Sequence, residues 1–262
     1  MKKNKNKNEI IEMASDSIIE VKDLCKSYKT NKITVQALTN INLTMKKGEF
    51  IAIVGPSGSG KTTLINCLGA LDYPDSGQII YNINNNGGGQ DITKMDHKDQ
   101  KNMRLNKIGL IFQFYNLFPV ITAYENVELP MLIAKKKIQD RKKRVKALLD
   151  LVGLSERMEH FPTQMSGGEQ QRVTVARALI NQPLIIIADE PTGELDTETT
   201  LQIIKIFLQI KQAGHSILMV THNMRIAYAA DRILTLVDGK ISAEILGGKP
   251  FEELYDDDVG GI

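Results

Sequence analysis

The eight residues Gly55-Pro56-Ser57-Gly58-Ser59-Gly60-Lys61-Thr62 constrain this chain more than any others. They fit the pattern Gly-x-x-x-x-Gly-Lys-Thr. The apolar run Phe50-Ile51-Ala52-Ile53-Val54 precedes them and reads as a buried strand, and Thr63-Leu64-Ile65-Asn66-Cys67-Leu68 follows and reads as the first turns of a helix. A polyphosphate needs many donors close together. Only a loop of low side-chain bulk lets backbone N–H groups converge on it, and glycine permits that approach. The helix N-terminus adds a dipole favourable to an anion. A strand–loop–helix of this kind is the context a phosphate-binding P-loop requires. Lys61 is placed to reach the β- and γ-phosphates of a nucleotide. The Thr62 hydroxyl is placed to hold Mg²⁺, with Thr63 in the same turn.

Two further segments extend the argument. Met165-Ser166-Gly167-Gly168-Glu169-Gln170 runs into a helical pattern in which Val173, Ala176, Leu179 and Ile180 share one face. Ser166, Gly167 and Gly168 thus stand at a helix start, either as an ordinary cap or as a second anion-ready N-terminus. The run Leu184-Ile185-Ile186-Ile187-Ala188 then ends in two acids, Asp189 and Glu190. A buried strand ending in Asp is where a nucleoside triphosphatase organises Mg²⁺, and an adjacent carboxylate can polarise a water. The run from Ser216 to Val220 is a further apolar strand, leading to Thr221 and His222.

A chain of 262 residues can bury a substantial α/β core. Its formal net charge of +2 gives no strong pull toward nucleic acid, so none is expected as a partner. No run approaches the ~20 apolar residues that span a bilayer. The N-terminal MKKNKNKNEII is basic and lacks the apolar stretch of a secretory leader. The expectation is a cytoplasmic chain that reaches a membrane through partners. Cys25 and Cys67 have no metal-ligand spacing, and neither reads as a nucleophile. Residues 1–16 read as a disordered polar tail, and 17–250 as the folded domain. Within that domain, 17–50 alternates as small antiparallel strands, and about 114–165 is an inserted helical subdomain. Residues 82–91, rich in Asn and Gly, read as a flexible loop, and 251–262 as a loose acidic tail. The lysines and arginines between 135 and 144 read as a solvated helix face, with a membrane-surface or partner contact as the alternative. Asp238-Gly239 reads as a hairpin turn.

In order along the chain, these segments resemble the motifs of the ATP-binding subunits of ABC transporters. GPSGSGKT resembles Walker A, Gln113 in IFQFYNL the Q-loop and MSGGEQ the signature. LIIIADE resembles Walker B, PTGELD the D-loop and VTH the switch histidine. Among these families the chain is most similar to the macrolide exporters and lipoprotein-release ATPases. The resemblance implies an α/β P-loop NTPase fold: a RecA-like parallel sheet, a small antiparallel β layer and the helical insertion. It implies ATP and Mg²⁺ as ligands, with Tyr28 stacking on adenine and residues 55–63 on the phosphates. Thr62, Gln113 and Asp189 would serve the metal, Glu190 would be general base, and His222 would contact the γ-phosphate. It further implies a head-to-tail homodimer in which Ser166, Gly167, Gly168 and Glu169 complete the partner's ATP site, with Asp196 communicating across the interface. Integral membrane permease subunits would dock near Gln113, placing the chain on the inner face of the cell membrane. Two positions depart from the usual pattern: Glu169 in the signature, where Gln is common, and Glu194 in the D-loop, where a small residue or Asn is usual. A regulatory cassette that transports nothing, and a cassette acting on DNA or ribosomes, remain as alternatives.

Overall fold

The computed structural model of the chain describes residues 11–12, 16–29, 33–83 and 88–254. Strands β1 (Ile11–Glu12), β2 (Ser17–Lys29), β3 (Thr34–Lys46), β5 (Ser76–Asn82) and β6 (Gly88–Asp91) form an antiparallel sheet in spatial order β1-β6-β5-β2-β3. A second sheet joins β4 (Phe50–Val54), β7 (Ile108–Ile111), β8 (Ile185–Asp189), β9 (Ser216–Val220), β10 (Arg232–Val237) and β11 (Lys240–Leu246) in the order β11-β10-β4-β9-β8-β7. All neighbours in it are parallel except the β10–β11 hairpin, which turns at Asp238-Gly239 as its sequence indicates.

The uninterrupted apolar runs of the parallel strands have a direct cause. Successive side chains point to opposite faces, and both faces are covered. Phe50, Ala52, Val54, Ile186, Ala188, Ile217 and Met219 face a core shared with helices α5 (Gly167–Leu179) and α6 (Thr197–Gln212). There the Phe207 ring meets Phe50 edge-on, 6.4 Å between centroids. Ile51, Ile53, Ile185, Ile187, Leu218 and Val220 face the other core, built with α1 (Lys61–Leu68) and the antiparallel sheet. Cys67 lies in this second core, where burial pushes its thiol up to about 12, so it packs as an apolar group. The remaining helices are α2 (His97–Asn106), α3 (Ala123–Ile133), α4 (Ile138–Leu151) and the short α7 (Met224–Ala227). Helices α3 and α4 occupy the stretch between β7 and α5. On α4, Val145, Leu148 and Leu149 are buried, followed by Val152 at its C-cap. Its basic face is mostly exposed, although Arg141 pairs with Glu128 at 2.8 Å and Arg144 donates to the carbonyl of Leu179.

Three sequence expectations need correction. The polar tail is not uniformly without structure, because Ile11 and Glu12 pair with Gly89 and Gly88. The expected loop at 82–91 is partly strand: β6 pairs with β5, joining Asn82 to Gly89 and Ile80 to Asp91. Residues 84–87 of that loop lie outside the described residues. Glycines carry no side-chain pattern, so nothing in the sequence marked β6. At the other end, Phe251–Leu254 forms a 3₁₀ turn and Leu254 is buried in the first core, so the tail does not begin loosely at 251. Residues 255–262 and 1–10 lie outside the described residues.

Four of the functional segments leave the carboxyl ends of parallel strands, whereas the signature opens α5 after a 3₁₀ turn and Tyr28 lies in the antiparallel sheet. The P-loop follows β4, Gln113 follows β7, Asp189 ends β8, and Thr221 and His222 follow β9. In open parallel sheets ligands bind at this edge, because there the loops converge and the helices begin.

Candidate nucleotide site

The P-loop is shaped by close backbone approaches. A Cβ on Gly60, which has φ 103°, would come within 2.4 Å of the Ala37 carbonyl, and one on Gly55 within 2.1 Å of that of Leu236. No other residue type fits either position. The Gly239 N–H donates to the Ser59 carbonyl at 3.0 Å, so the β10–β11 turn braces the loop. Gly60 is the N-cap of α1 and offers no side-chain cap, which leaves the first N–H groups of α1 unfilled by side chains. Pro56, Ser57 and Gly58 line the exposed rim. Lys61 is buried and folded back, donating to the carbonyls of Gly55 at 2.9 Å and Pro56 at 2.8 Å. The ammonium therefore lies in the concavity of the loop, where a phosphate would replace the carbonyls as its partner.

The end of β8 is brought against α1. Asp189 lies beside Thr62, and its carboxyl is pushed up by burial, then by the neighbouring Glu190 charge, against the pull of Thr62 and Lys61. Its Oδ1 is buried with no hydrogen-bond partner among the described residues, as is the Ser59 hydroxyl. An orphaned carboxylate oxygen beside a threonine hydroxyl matches the oxygen chemistry of Mg²⁺, an ion held through few protein ligands, water and substrate phosphates. No cluster of three or more His, Cys, Asp or Glu suited to a metal occurs among the described residues, so an all-protein cage is not the form such a site would take.

Glu190 has φ 46°, an uncommon backbone state for a non-glycine residue. Register fixes it there: its N–H donates to the Val220 carbonyl at 3.0 Å, tying the end of β8 to β9. Its Oε2 lies 2.9 Å from His222 Nδ1. A carboxylate only accepts, so Nδ1 carries the proton in this bond. Gln113 is bonded elsewhere: its Nε2 donates to Glu194 Oε1 at 3.2 Å. The D-loop glutamate, noted as a departure from pattern, thus engages the glutamine's nitrogen and leaves its oxygen as the end free for a cation.

The signature residues are not joined to the P-loop by hydrogen bonds. Ser166 and Glu169 form a capping box on α5: Ser166 Oγ accepts from the Glu169 N–H at 3.2 Å, and Glu169 Oε2 accepts from the Ser166 N–H at 2.8 Å. Glu169 also pairs with Arg157 at 3.4 Å, which offsets its negative charge. Gly168 abuts α6, where a Cβ would come within 2.3 Å of Thr199 Cγ2. Gly167 packs under the Tyr115 hydroxyl. Asp196 caps α6 by accepting from the Thr199 N–H at 2.9 Å, and these bonds hold its carboxyl below the usual range. Tyr28 lies near the end of β2, and its hydroxyl donates to Asp72.

Sequence reasoning missed two residues that shape this edge. Arg177, on α5, is largely buried, which pulls its guanidinium down to about 10, and it donates to the carbonyls of Tyr115 at 2.9 Å and Asn116 at 2.7 Å. Asn126, fully buried on α3, accepts from the Phe118 N–H and donates to the carbonyls of Phe118, Ile121 and Thr122. The available signal was a polar group lodged within an apolar helical stripe, which must find a partner.

The comparisons with known proteins agree with this geometry. The ABC transporter family pattern matches residues 38–193. An uncharacterized ABC transporter ATP-binding protein of Thermotoga maritima is 43% identical over 86% of this chain and 93% of its own length. The macrolide export ATP-binding/permease protein MacB 2 of Aeromonas hydrophila is 44% identical over 90% of this chain, but the match spans only 35% of that protein. A solved dimeric ATP-binding cassette in a post-hydrolysis state, bound to ADP and Pi, superposes with a TM-score of 0.80 at 37% identity, covering 89% of this chain and all of that one. The chain belongs to the ABC transporter family, as one of its ATP-binding, ATP-hydrolysing cassettes.

Proposed function

We propose that two copies of this chain close head-to-tail around ATP and drive integral membrane subunits at the inner face of the membrane. The observation that carries the catalytic part is the convergence at the end of β8, where Asp189 meets Thr62 of the P-loop helix and Glu190 meets His222. In this reading residues 55–63 bind the phosphates and Tyr28 bears the adenine. Thr62, Asp189 and Gln113 hold Mg²⁺, which when bound offsets phosphate charge. Glu190 takes a proton from water as the water oxygen attacks the γ-phosphorus and the bond to the ADP oxygen breaks. His222 fixes the orientation of that carboxylate.

The partner's ATP is the natural counterpart of the Ser166–Glu169 helix start. That helix start has no hydrogen bond to its own P-loop, and the similar solved cassettes are dimers. The membrane contact is supported by a groove of about 530 Å³ between α2, β7, α3 and α5, floored by Leu110, Phe112 and Ile133. Phe118, which lines it, is 51% exposed, and on the same β7–α3 loop Phe114 and Val120 are 69% and 79% exposed. Isolated apolar side chains are common on surfaces, whereas a contiguous apolar groove is the kind of surface that a partner covers, which supports this reading. No described helix is long and apolar enough to cross a membrane, and the macrolide export relatives are named ATP-binding/permease proteins. An apolar helical segment of a permease is therefore the proposed occupant. A photo-crosslinker at Val120, in native membranes, is expected to capture an integral membrane protein. Exclusive capture of ribosomal or nucleic-acid-binding proteins would overturn this assignment.

The metal assignment has its own test. Because the Asp189 pKa is raised on folding, its neutral form is the stabilised one in the nucleotide-free protein. That contribution is fully present below the ordinary aspartate pKa and lost as pH rises through the raised value. At neutral pH the ionised carboxylate is thus a net cost that Mg²⁺ would relieve. Asp189→Asn is expected to raise the nucleotide-free melting temperature, because it removes the buried charge. It is also expected to remove the extra stabilisation that Mg²⁺ adds to ATP. Melting curves at pH 7 with ATP, with and without Mg²⁺, decide both points.

A further inference from the structure

A second polar cluster lies at the far end of the site from the catalytic acids. Tyr28 is 41% exposed, and its hydroxyl donates to Asp72 Oδ2 at 2.8 Å. The other oxygen of Asp72 accepts from Lys26 Nζ at 2.8 Å. Lys26 is only 9% exposed, and its ammonium lies 5.1 Å from the centroid of the Tyr28 ring. One residue along, the Ser27 N–H and hydroxyl both donate to Asp75 Oδ2 at 2.6 Å, and the Asp75 N–H donates to the Cys25 carbonyl at 2.8 Å. Four consecutive residues of β2 are therefore fastened to the segment 72–75. That segment is in turn fastened to the helix of the P-loop, since the N–H groups of Leu71 and Asp72 donate to the Asn66 carbonyl on α1.

A nearly buried ammonium is costly unless paired, and Asp72 pairs it. Burial pulls the Lys26 ammonium down, but the bond and charge of Asp72 outweigh it and leave it raised. Asp72 is likewise held below the usual carboxylate range, because Lys26 and Tyr28 together overcome its burial. The pair stays charged around neutral pH. Anchoring Lys26 requires no contact with Tyr28, and the exposed ring adds little to the core. The hydroxyl bond does have a consequence for the ring, since a side chain held at both ends has one orientation. An aromatic that is already oriented loses less freedom when a base stacks on it.

We propose that Asp72 is a positioning residue for base binding, holding the Tyr28 hydroxyl so that the ring presents one face to adenine while Lys26 closes the other. This rests on Tyr28 being the adenine platform. The cluster also couples the base end of the nucleotide to the phosphate end, because β2, residues 72–75 and α1 form one bonded unit.

The test compares binding of ATP and of inorganic tripolyphosphate, both with Mg²⁺, by calorimetry. The triphosphate reads the P-loop without a base. Tyr28→Ala is expected to weaken ATP about tenfold, the scale of one stacked base, and to leave tripolyphosphate within about twofold. Tyr28→Phe keeps the ring and removes its anchor, while Asp72→Asn weakens the anchor and keeps its shape. Each is expected to weaken ATP about three- to fivefold, the scale of one hydrogen bond, with tripolyphosphate unchanged. In the Tyr28→Phe background, Asp72→Asn should have no further effect. If Asp72→Asn does not fold, Tyr28→Phe alone decides. Should Tyr28→Phe and Asp72→Asn bind ATP like the parent while Tyr28→Ala does not, the positioning role is overturned and the platform stands. Equal loss for ATP and tripolyphosphate would also overturn it, by locating the effect in α1. If Tyr28→Ala binds ATP like the parent, the platform itself fails, and the role of Asp72 with it.

Discussion

Glu190→Gln is expected to bind ATP with Mg²⁺ as the parent chain does and to hydrolyse it about 10²–10⁴-fold more slowly, the range that one general base contributes. The amide keeps the side-chain shape, and its oxygen can still accept from His222 Nδ1, the 2.9 Å contact that holds the carboxylate. What is lost is the ability to take a proton from water. With hydrolysis blocked, ATP persists between two cassettes, and the variant should elute as a dimer in ATP and Mg²⁺ while the parent remains largely monomeric. Size-exclusion chromatography with light scattering reads this directly. Adding Ser166→Arg should abolish the dimer, because a bulky cation then stands at the helix start that would meet the facing ATP. Hydrolysis at the parent rate in Glu190→Gln sinks the assignment of the base. An ATP-dependent dimer that survives Ser166→Arg sinks the head-to-tail arrangement.

Lys61→Ala should lower ATP affinity about a hundredfold, because charge-assisted bonds to the phosphates are among the strongest single contacts available. The substitution also removes the ammonium's bonds to the carbonyls of Gly55 and Pro56, so some loss could arise from a slack loop. Lys61→Met separates the two effects. It retains the buried apolar stem of Lys61 and removes only the charge. If charge is the cause, the methionine variant binds as weakly as the alanine one in a nucleotide titration. Parent-like affinity in Lys61→Met would mean that the loop's backbone donors suffice and that the role given to Lys61 is wrong.

The parts of the site that could be read from the sequence are those in which chemistry and chain geometry coincide locally. Gly55 and Gly60 mark the loop because backbone atoms of Leu236 and Ala37 leave no room for a Cβ, and that demand is met residue by residue. Asp189 and Glu190 were legible because an apolar run buried on both faces can end in acids only at the sheet edge. The signature glutamate shows the limit. Its spacing, Ser166-x-x-Glu169, is a capping box, but the Arg157 partner twelve residues earlier could not be foreseen. Glu194 and Gln113 lie 81 residues apart in the chain, so their bond belongs to the tertiary structure alone. The pairing of β1 with β6 and the burial of Leu254 were hidden for a related reason. Short segments without periodicity carry no signal until another part of the chain covers them.

The ties made by Arg177 and Asn126 have a consequence for how such a cassette can change over generations. Both side chains grip the backbone of the loop between β7 and α3, at the carbonyls of Tyr115, Asn116, Phe118, Ile121 and Thr122, and neither grips its side chains. These bonds to main-chain atoms hold the path of the loop without depending on its exposed side chains. Phe114, Phe118 and Val120 can be exchanged as the partner's surface drifts, with little penalty to the fold beneath them. If that loop docks membrane subunits as proposed, a few exposed residues could be exchanged to suit different partners while the spacing from loop to catalytic edge stays constant.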